Sequence, residues 1–535
     1  MIAALIIGLG VGGATSLYGL LFITLDSAAL SLPLPLAVLA VLGLLALARL
    51  VVRRVAGERS GSLIDLFLRI YHLNYGKIST RRAAALSLAP LITVAAGGSV
   101  GVSGSAIFFG SSLASIASRL LRLGARSVRR LMLVGGVAGI AAVFRAPISA
   151  MMFALEAPYR RDIEVGVIVP ASLAAATAYA ISKMVLGEQV LFHAVAPENP
   201  IPLDPWAAVH YAAIGVVAAV ASIGIIRFRE LLERLVERVN RLEDLGFVVV
   251  GLCTVAAYLA VPNAVGSGTR ALLYVKTMGL GEAALLAVVK ALLTVATLRL
   301  AGAGGVFVPS MVVGAAIGYS YALATRFPGR EAAMIAGMAG IFAGVNSAPL
   351  TIIMFSLEVE GLQAAVPAII ASLTSYAITM HSSLHSNQLV LGSNRRIAAL
   401  SLYARRAAAR IPWVFRRRVS EFAWNPSCVI DSNTAVEDAL SCLRRSGEDV
   451  VLVLEDGRVV GVALREELEA AERGTRLKEV ATRPVFVDPN AELSRALRLM
   501  ELLASEVLVV RGRVPHIVTA SGLVDLLRRL SEEEG

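Results

Sequence analysis

The sequence predicts an all-α polytopic membrane domain followed by a smaller α+β domain. Three observations carry this. Of 535 residues, 57% are hydrophobic and only 17% charged, too apolar for a soluble chain of this length. The net charge of +11 is unevenly placed: the stretch after Arg418 holds 14 basic and 21 acidic residues, so the tail carries −7 and everything before it +18. Long apolar runs recur from Ile2 to Met380 and then stop.

The runs lie at 2–24, 31–52, 83–96, 106–121, 131–143, 165–185, 206–226, 247–261, 283–298, 306–323, 332–345 and 363–380. The first lacks a basic start and is too long for a signal-peptide core, so it is expected to remain as a membrane segment. Several of the others fall short of the roughly 20 residues that span hydrocarbon. Short helices with Gly-rich breaks cannot leave bare peptide groups facing lipid, so the breaks are expected to be enclosed by protein or to line a polar cavity. Basic residues sit at the ends of the runs, as in Arg49-x-x-x-Arg53-Arg54 and Arg395-Arg396, which reads as loops facing the cytoplasm rather than a nucleic-acid surface. Between Arg395 and Arg418 there is no acid, the pattern of a basic juxtamembrane linker. The tail then reads twice as strand, helix, strand, strand, helix: 429–430, 435–445, 450–455, 459–462 and 466–471, then 485–487, 492–503, 507–510, 516–519 and 523–530.

The membrane part contains an internal repeat. Gly139-Ile-Ala-Ala-Val-Phe-Arg-Ala-Pro147, ending in Phe153-Ala-Leu-Glu156, returns as Gly340-Ile-Phe-Ala-Gly-Val-Asn-Ser-Ala-Pro349, ending in Phe355-Ser-Leu-Glu358. In both copies the Glu follows the Pro by nine residues. Upstream, Gly101-Val-Ser-Gly-Ser and Gly305-Val-Phe-Val-Pro precede the two prolines by 46 and 44 residues. Duplicated halves with matching breaks are the sign of a transporter-like fold whose site lies at the repeat interface.

Enzymatic chemistry has little to stand on. There is no H-E-x-x-H and no G-x-x-x-x-G-K-[ST], and His72, His193, His210, His381, His385 and His516 have no carboxylate or Cys at metal-ligand spacing. Cys253, Cys428 and Cys442 read as three scattered thiols. What remains is a set of glycine-rich, hydroxyl-bearing turns at helix starts: Ser60-Gly61-Ser62, the stretch Gly97 to Ser105, and Gly302-Ala-Gly-Gly305-Val-Phe-Val-Pro309-Ser310. A helix N-terminus offers unpaired N–H groups and about half an elementary positive charge, which suits an anion. Full charges would hold an anion too tightly for rapid release, whereas partial charges and hydroxyls permit permeation. Plainer roles fit the same residues. Ser62 with Asp65 matches a capping box, Ser103 fits a helix cap, and Glu156 and Glu358 fit hydrogen-bonded anchors.

Taken together, these motifs resemble the CLC family of chloride channels and chloride/proton exchangers. Gly97 to Ser105 is similar to the family's G-G-S-x-G-R-E-G-P, Ala138 to Glu156 to its first A-P helix, Gly305-Val-Phe-Val-Pro309 to G-x-F-x-P, and Gly340 to Glu358 to its second A-P helix. The tail resembles a pair of CBS domains. The resemblance implies two inverted repeats of short broken helices, a homodimer in the cell membrane with one anion path per subunit, and a cytoplasmic CBS pair. It divides the chain into a membrane domain 1–402, a basic linker 403–418, and CBS domains 419–473 and 474–535. Chloride is the implied ligand, with no required cofactor and no nucleic acid. Carried over by position, Ser62, Ser103, Gly104, the N–H groups of Val306 and Phe307, and His385 at the pore-tyrosine position face the anion. Ser103 stands where the family has its gating glutamate, and Ala157 where exchangers have an inner proton glutamate. Neither can titrate in the working range. The implied activity is therefore passive, uncoupled anion conduction; a chloride/proton antiporter or a CBS-bearing cation transporter are the alternatives. For an adenine nucleotide the tail offers Thr519 but not the family's full signature. Separation of Ser103 from Phe307 in space would overturn the anion-seat reading.

Overall fold

The computed structural model describes residues 2–74, 76–120, 125–187, 191, 195, 197–198, 200–389, 395–469, 474–503, 505–512 and 515–533. It divides into two compact units, Met1–Gln388 and Leu389–Gly535.

The first unit is helical. Among the described residues, nine helices are long and apolar enough to cross a membrane, from Ile2–Ser31 to Leu362–Thr379, making this a multi-pass membrane protein. Pro205–Arg238 is the longest span at 34 residues, started by Pro205 in its first turn and by the Asp204 carboxylate, which accepts from the Ala207 N–H at 3.0 Å. Between the spans lie shorter helices, Leu63–Leu73, Pro147–Glu156 and Pro349–Phe355, each opening at a break that the sequence marks with Gly, Ser or Ala-Pro.

The repeat is visible as matched packing. Helices Val102–Leu120 and Ala125–Phe144 pair in the first half, and Phe307–Thr325 and Arg330–Asn346 in the second. Each pair crosses at facing glycines. A Cβ on Gly135 would lie 3.0 Å from the Gly110 carbonyl carbon, and one on Gly337 would lie 3.0 Å from that of Gly314. Without a buried solvent-driven attraction in lipid, such close backbone approach is what holds helices together.

Arg49 corrects the reading of the basic clusters as loops. It lies inside helix Leu34–Leu50, is 4% exposed, and donates to the carbonyls of Glu243, Arg59 and Arg299. Two of those acceptors, Glu243 and Arg299, come from segments remote in sequence, so local composition gave no sign of them.

The second unit is α+β. Val429–Asp431 pairs parallel with Val450–Glu455, which pairs antiparallel with Arg458–Leu464; Val485–Val487, Val507–Val510 and His516–Thr519 repeat the same order. Val450, Leu452 and Val462 of one sheet pack with Val507, Val509 and Ile517 of the other. Helix Arg395–Arg410 belongs to this unit and is continuous through residue 402, burying Ile397, Leu400 and Ala407 in a core that includes Met500 and Leu527. Two of the three cysteines are not free thiols: Cys428 and Cys442 form a disulfide with a Cα–Cα distance of 6.0 Å. The pair is 14 residues apart in sequence and meets because the helix Val436–Ser446 folds back beside the first strand. A closed loop of this size stabilises by about 3 kcal/mol in the chain-entropy picture. Reduction, or Cys442→Ser, is expected to lower the protection of strand Val450–Glu455 accordingly, measured by hydrogen exchange on the full-length protein; unchanged exchange would count against it.

Candidate functional site

The three glycine-rich turns meet. The Gly304 N–H donates to Gly61 O at 3.0 Å and Leu63 N–H to Gly304 O at 3.1 Å, joining the Ser62 turn to the Gly302–Gly305 turn in a short parallel bridge. On the other side Gly101 and Gly305 exchange hydrogen bonds of 2.7 and 3.1 Å as an antiparallel bridge. Thr93, which the sequence did not single out, locks the same turn by accepting from the Ala303 N–H at 3.0 Å. Helices Leu63–Leu73, Val102–Leu120 and Phe307–Thr325 thus all begin around one ribbon of backbone. Gly101 and Gly104, on either side of Ser103, lie against Val308 and Gly305, on either side of Phe307, so the two stretches are not remote.

The first N–H groups of each helix have no acceptor within the helix and carry partial positive charge. Two hydroxyls beside them, those of Ser103 and Ser62, are not used in capping, whereas Ser105 and Ser310 donate to the carbonyls of Gly101 and Phe307. Ser103 lies inside its helix, one residue past the start, so it is not the N-cap; its Oγ is buried with no hydrogen-bond partner. Ser62 does occupy the N-cap position, yet its side chain makes no capping bond. The capping box with Asp65 is not formed either, because the Asp65 carboxylate accepts from Ser386 Oγ at 2.7 Å and from the Asn387 N–H at 2.8 Å. Gly104 presses directly on Gly305, where a side chain on either would meet backbone. Val306 and Phe307 are buried, and the Phe307 ring stands edge-on to Phe153 and Phe342 at centroid distances of 5.4 and 4.6 Å. An orphaned buried hydroxyl among convergent helix starts is the donor set an anion requires.

His385 is buried on the segment that Asp65 ties down. Its Nε2 lies 2.9 Å from Asn346 Oδ1, and Nδ1 has no partner. Gln388, also missed by the sequence reading, donates to the carbonyls of Ala157 and Asn346 at 3.2 Å each, which holds this segment against both repeats. Ala157 itself is buried at the end of helix Pro147–Glu156.

Glu156 and Glu358 act as anchors, and reciprocally. Glu156 accepts from Leu350 N–H, Thr351 N–H and Thr351 Oγ1 at 2.7 to 2.8 Å, at the start of the second-repeat helix. Glu358 accepts from Ile148 N–H and Ser149 N–H at 2.8 and 2.7 Å, at the start of the first-repeat helix. Each acid neutralises the positive end of the other's helix, which requires the two helices to run in opposite directions. In the tail, Thr519 Oγ1 accepts from the Gly522 N–H at 3.2 Å, capping the helix Ala520–Glu533.

A family model described as voltage gated chloride channel matches residues 42–380. The chain is 26% identical to a putative chloride channel protein ClcB-like of Ralstonia nicotianae over 326 residues, 58% of this chain and 74% of that one. Its fold is similar to the crystal structure of a CLC-type fluoride/proton antiporter, with a TM-score of 0.64 at 23% identity, covering 73% of this chain and 97% of the other. It is similar also to that of a eukaryotic CLC transporter, with a TM-score of 0.61 at 18% identity over 97% and 98% of the two chains. These findings set aside the cation-transporter alternative. With the match running over more than half its length, the chain belongs to the voltage gated chloride channel family, anion channels and transporters that move chloride or a related halide and need no cofactor.

Proposed function

We propose that the protein conducts chloride or a related anion passively, without coupled proton movement. The observation that carries this is Ser103: the residue at the first turn of the central helix is a buried, unpartnered hydroxyl, able to donate to an anion and unable to exchange a proton with it. Exchange needs a carboxylate that competes with the anion when ionised and releases it when neutral. Ala157 at the inner position has no titratable group, and the two repeat glutamates are committed to helix ends. Asp65 is held by Ser386 and Asn387.

The assembly follows from the same resemblance. A second copy covers exposed apolar residues of the repeat helices, among them Ile148, Leu350, Ile369 and Leu373, giving a homodimer with one path per subunit. The tail is a CBS pair on the cytoplasmic side, supported by its two sheets of identical strand order. It is a poor nucleotide site, because Thr519 is engaged as a cap and Leu464 replaces a hydroxyl in the first half.

The test is flux in proteoliposomes loaded with chloride. The expected result is dissipation of the chloride gradient with no uphill proton movement. Proton pumping in fixed proportion to chloride would replace this reading with antiport, and no anion flux would remove it.

A further inference from the structure

We propose that His385 is a proton-linked anion contact, binding chloride only as the imidazolium, so that one proton enters the site with each anion. The inference rests on the anion-conduction reading above and adds its regulation.

The tautomer comes first. Asn346 Nδ2 donates to Phe342 O at 3.0 Å, which fixes the amide and leaves Oδ1 facing His385 Nε2 at 2.9 Å. An amide oxygen only accepts, so the neutral ring carries its hydrogen on Nε2 and Nδ1 is a bare lone pair. That lone pair is buried without a donor, on a residue only 2% exposed. Toward an anion it is repulsive. Protonation turns the same atom into an N–H donor with a full charge, and an orphaned group becomes a satisfied one once an anion sits against it.

Burial holds the unliganded ring neutral and is the largest influence on it. Of the charged groups acting on the ring, Asp65, on helix Leu63–Leu73, favours the imidazolium, and Arg229, on helix Pro205–Arg238, opposes it. Asp65 binds Ser386 Oγ and the Asn387 N–H, and Arg229 donates to Leu384 O at 2.6 Å, so both hold the His385 segment from either side. Asp65 also stands one helical turn from Ser62, which places that segment beside the helix start that faces the anion. The balance is simple: neutral His385, one proton from solvent and one chloride give an imidazolium–chloride pair. The proton governs occupancy and is not itself cargo.

Linkage is reciprocal, so chloride affinity is expected to rise by up to about tenfold for each unit fall in pH while one proton is taken up per anion. The experiment is calorimetric titration of sodium chloride into the full-length protein, exchanged into a chloride-free medium, at several values from roughly pH 5 to 8. Buffers of different ionisation enthalpy then report the protons bound. The expected result is uptake approaching one proton per chloride in the wild type and none in His385→Gln or His385→Asn, with affinity in both variants flat against pH. Chloride binding without proton uptake, or uptake surviving in a folded variant, overturns the inference alone. If neither variant folds, the wild-type proton count decides. Absence of both chloride binding and chloride flux would sink the functional reading with it.

Discussion

Replacing Gly305 with alanine is expected to abolish anion flux. A Cβ there would lie 2.7 Å from the Gly104 Cα and 3.0 Å from the Gly101 carbonyl oxygen, both backbone atoms with no rotamer to escape into. Relief requires parting the bridge through which Gly101 and Gly305 exchange their hydrogen bonds. That movement carries the start of helix Phe307–Thr325 away from the start of helix Val102–Leu120. Overpacking of this kind typically costs about 1–3 kcal/mol of stability. Function is hit harder, since displacing aligned groups by about an ångström costs on the order of a hundredfold in activity. Chloride efflux from proteoliposomes measures this, with an alanine at Gly281, which has no neighbour within 4 Å, as the matched control. A Gly305→Ala protein that conducts at the wild-type rate would show that the two helix starts need not touch.

Removing Glu156 should destabilise the membrane unit more than removing Glu358. Glu156→Ala strands three donors, the N–H groups of Leu350 and Thr351 and the Thr351 hydroxyl, on a residue that is itself 5% exposed. At about 1–3 kcal/mol for each buried group left unsatisfied, the loss is at least about 3 kcal/mol. Glu358→Ala strands only two N–H groups, those of Ile148 and Ser149, and no hydroxyl. At least about 2 kcal/mol is expected there on the same scale. Thermal unfolding of the two variants in detergent reads the asymmetry. Equal losses, or none, would mean that the helix starts find other acceptors.

The extent to which the sequence revealed this structure follows the range of each interaction. The repeat, the glycine-rich turns and the alternation of the tail are patterns within a few dozen residues, and hydropathy period and turn chemistry expose them directly. The meeting of Ser62, Ser103 and Phe307 came from the resemblance; no spacing argument places Gly61 against Gly304 or Gly101 against Gly305. Ser62-x-x-Asp65 misled because it is locally complete: the carboxylate that should have closed a capping box goes to residues more than 300 positions away. Arg49 misled similarly, its charge satisfied in part by carbonyls from two distant segments. Thr93 and Gln388 left no signal, since a lone hydroxyl or amide in an apolar run looks the same whether it is a lock or an accident. Cys428 and Cys442 were simply too few to suggest a framework.

The crossed anchoring of the repeats bears on how the chain is made. While the ribosome has delivered only the first half, the Glu156 carboxyl lacks its hydrogen-bond donors, because Leu350 and Thr351 have not yet been synthesised. The opening of its own helix at Ile148 and Ser149 waits likewise for Glu358. Until its counterpart arrives, the nascent N-terminal half lacks the partners that complete these two helix ends. Assembly of this protein is completed late in translation, by an exchange of carboxylates between two halves that cannot each finish alone.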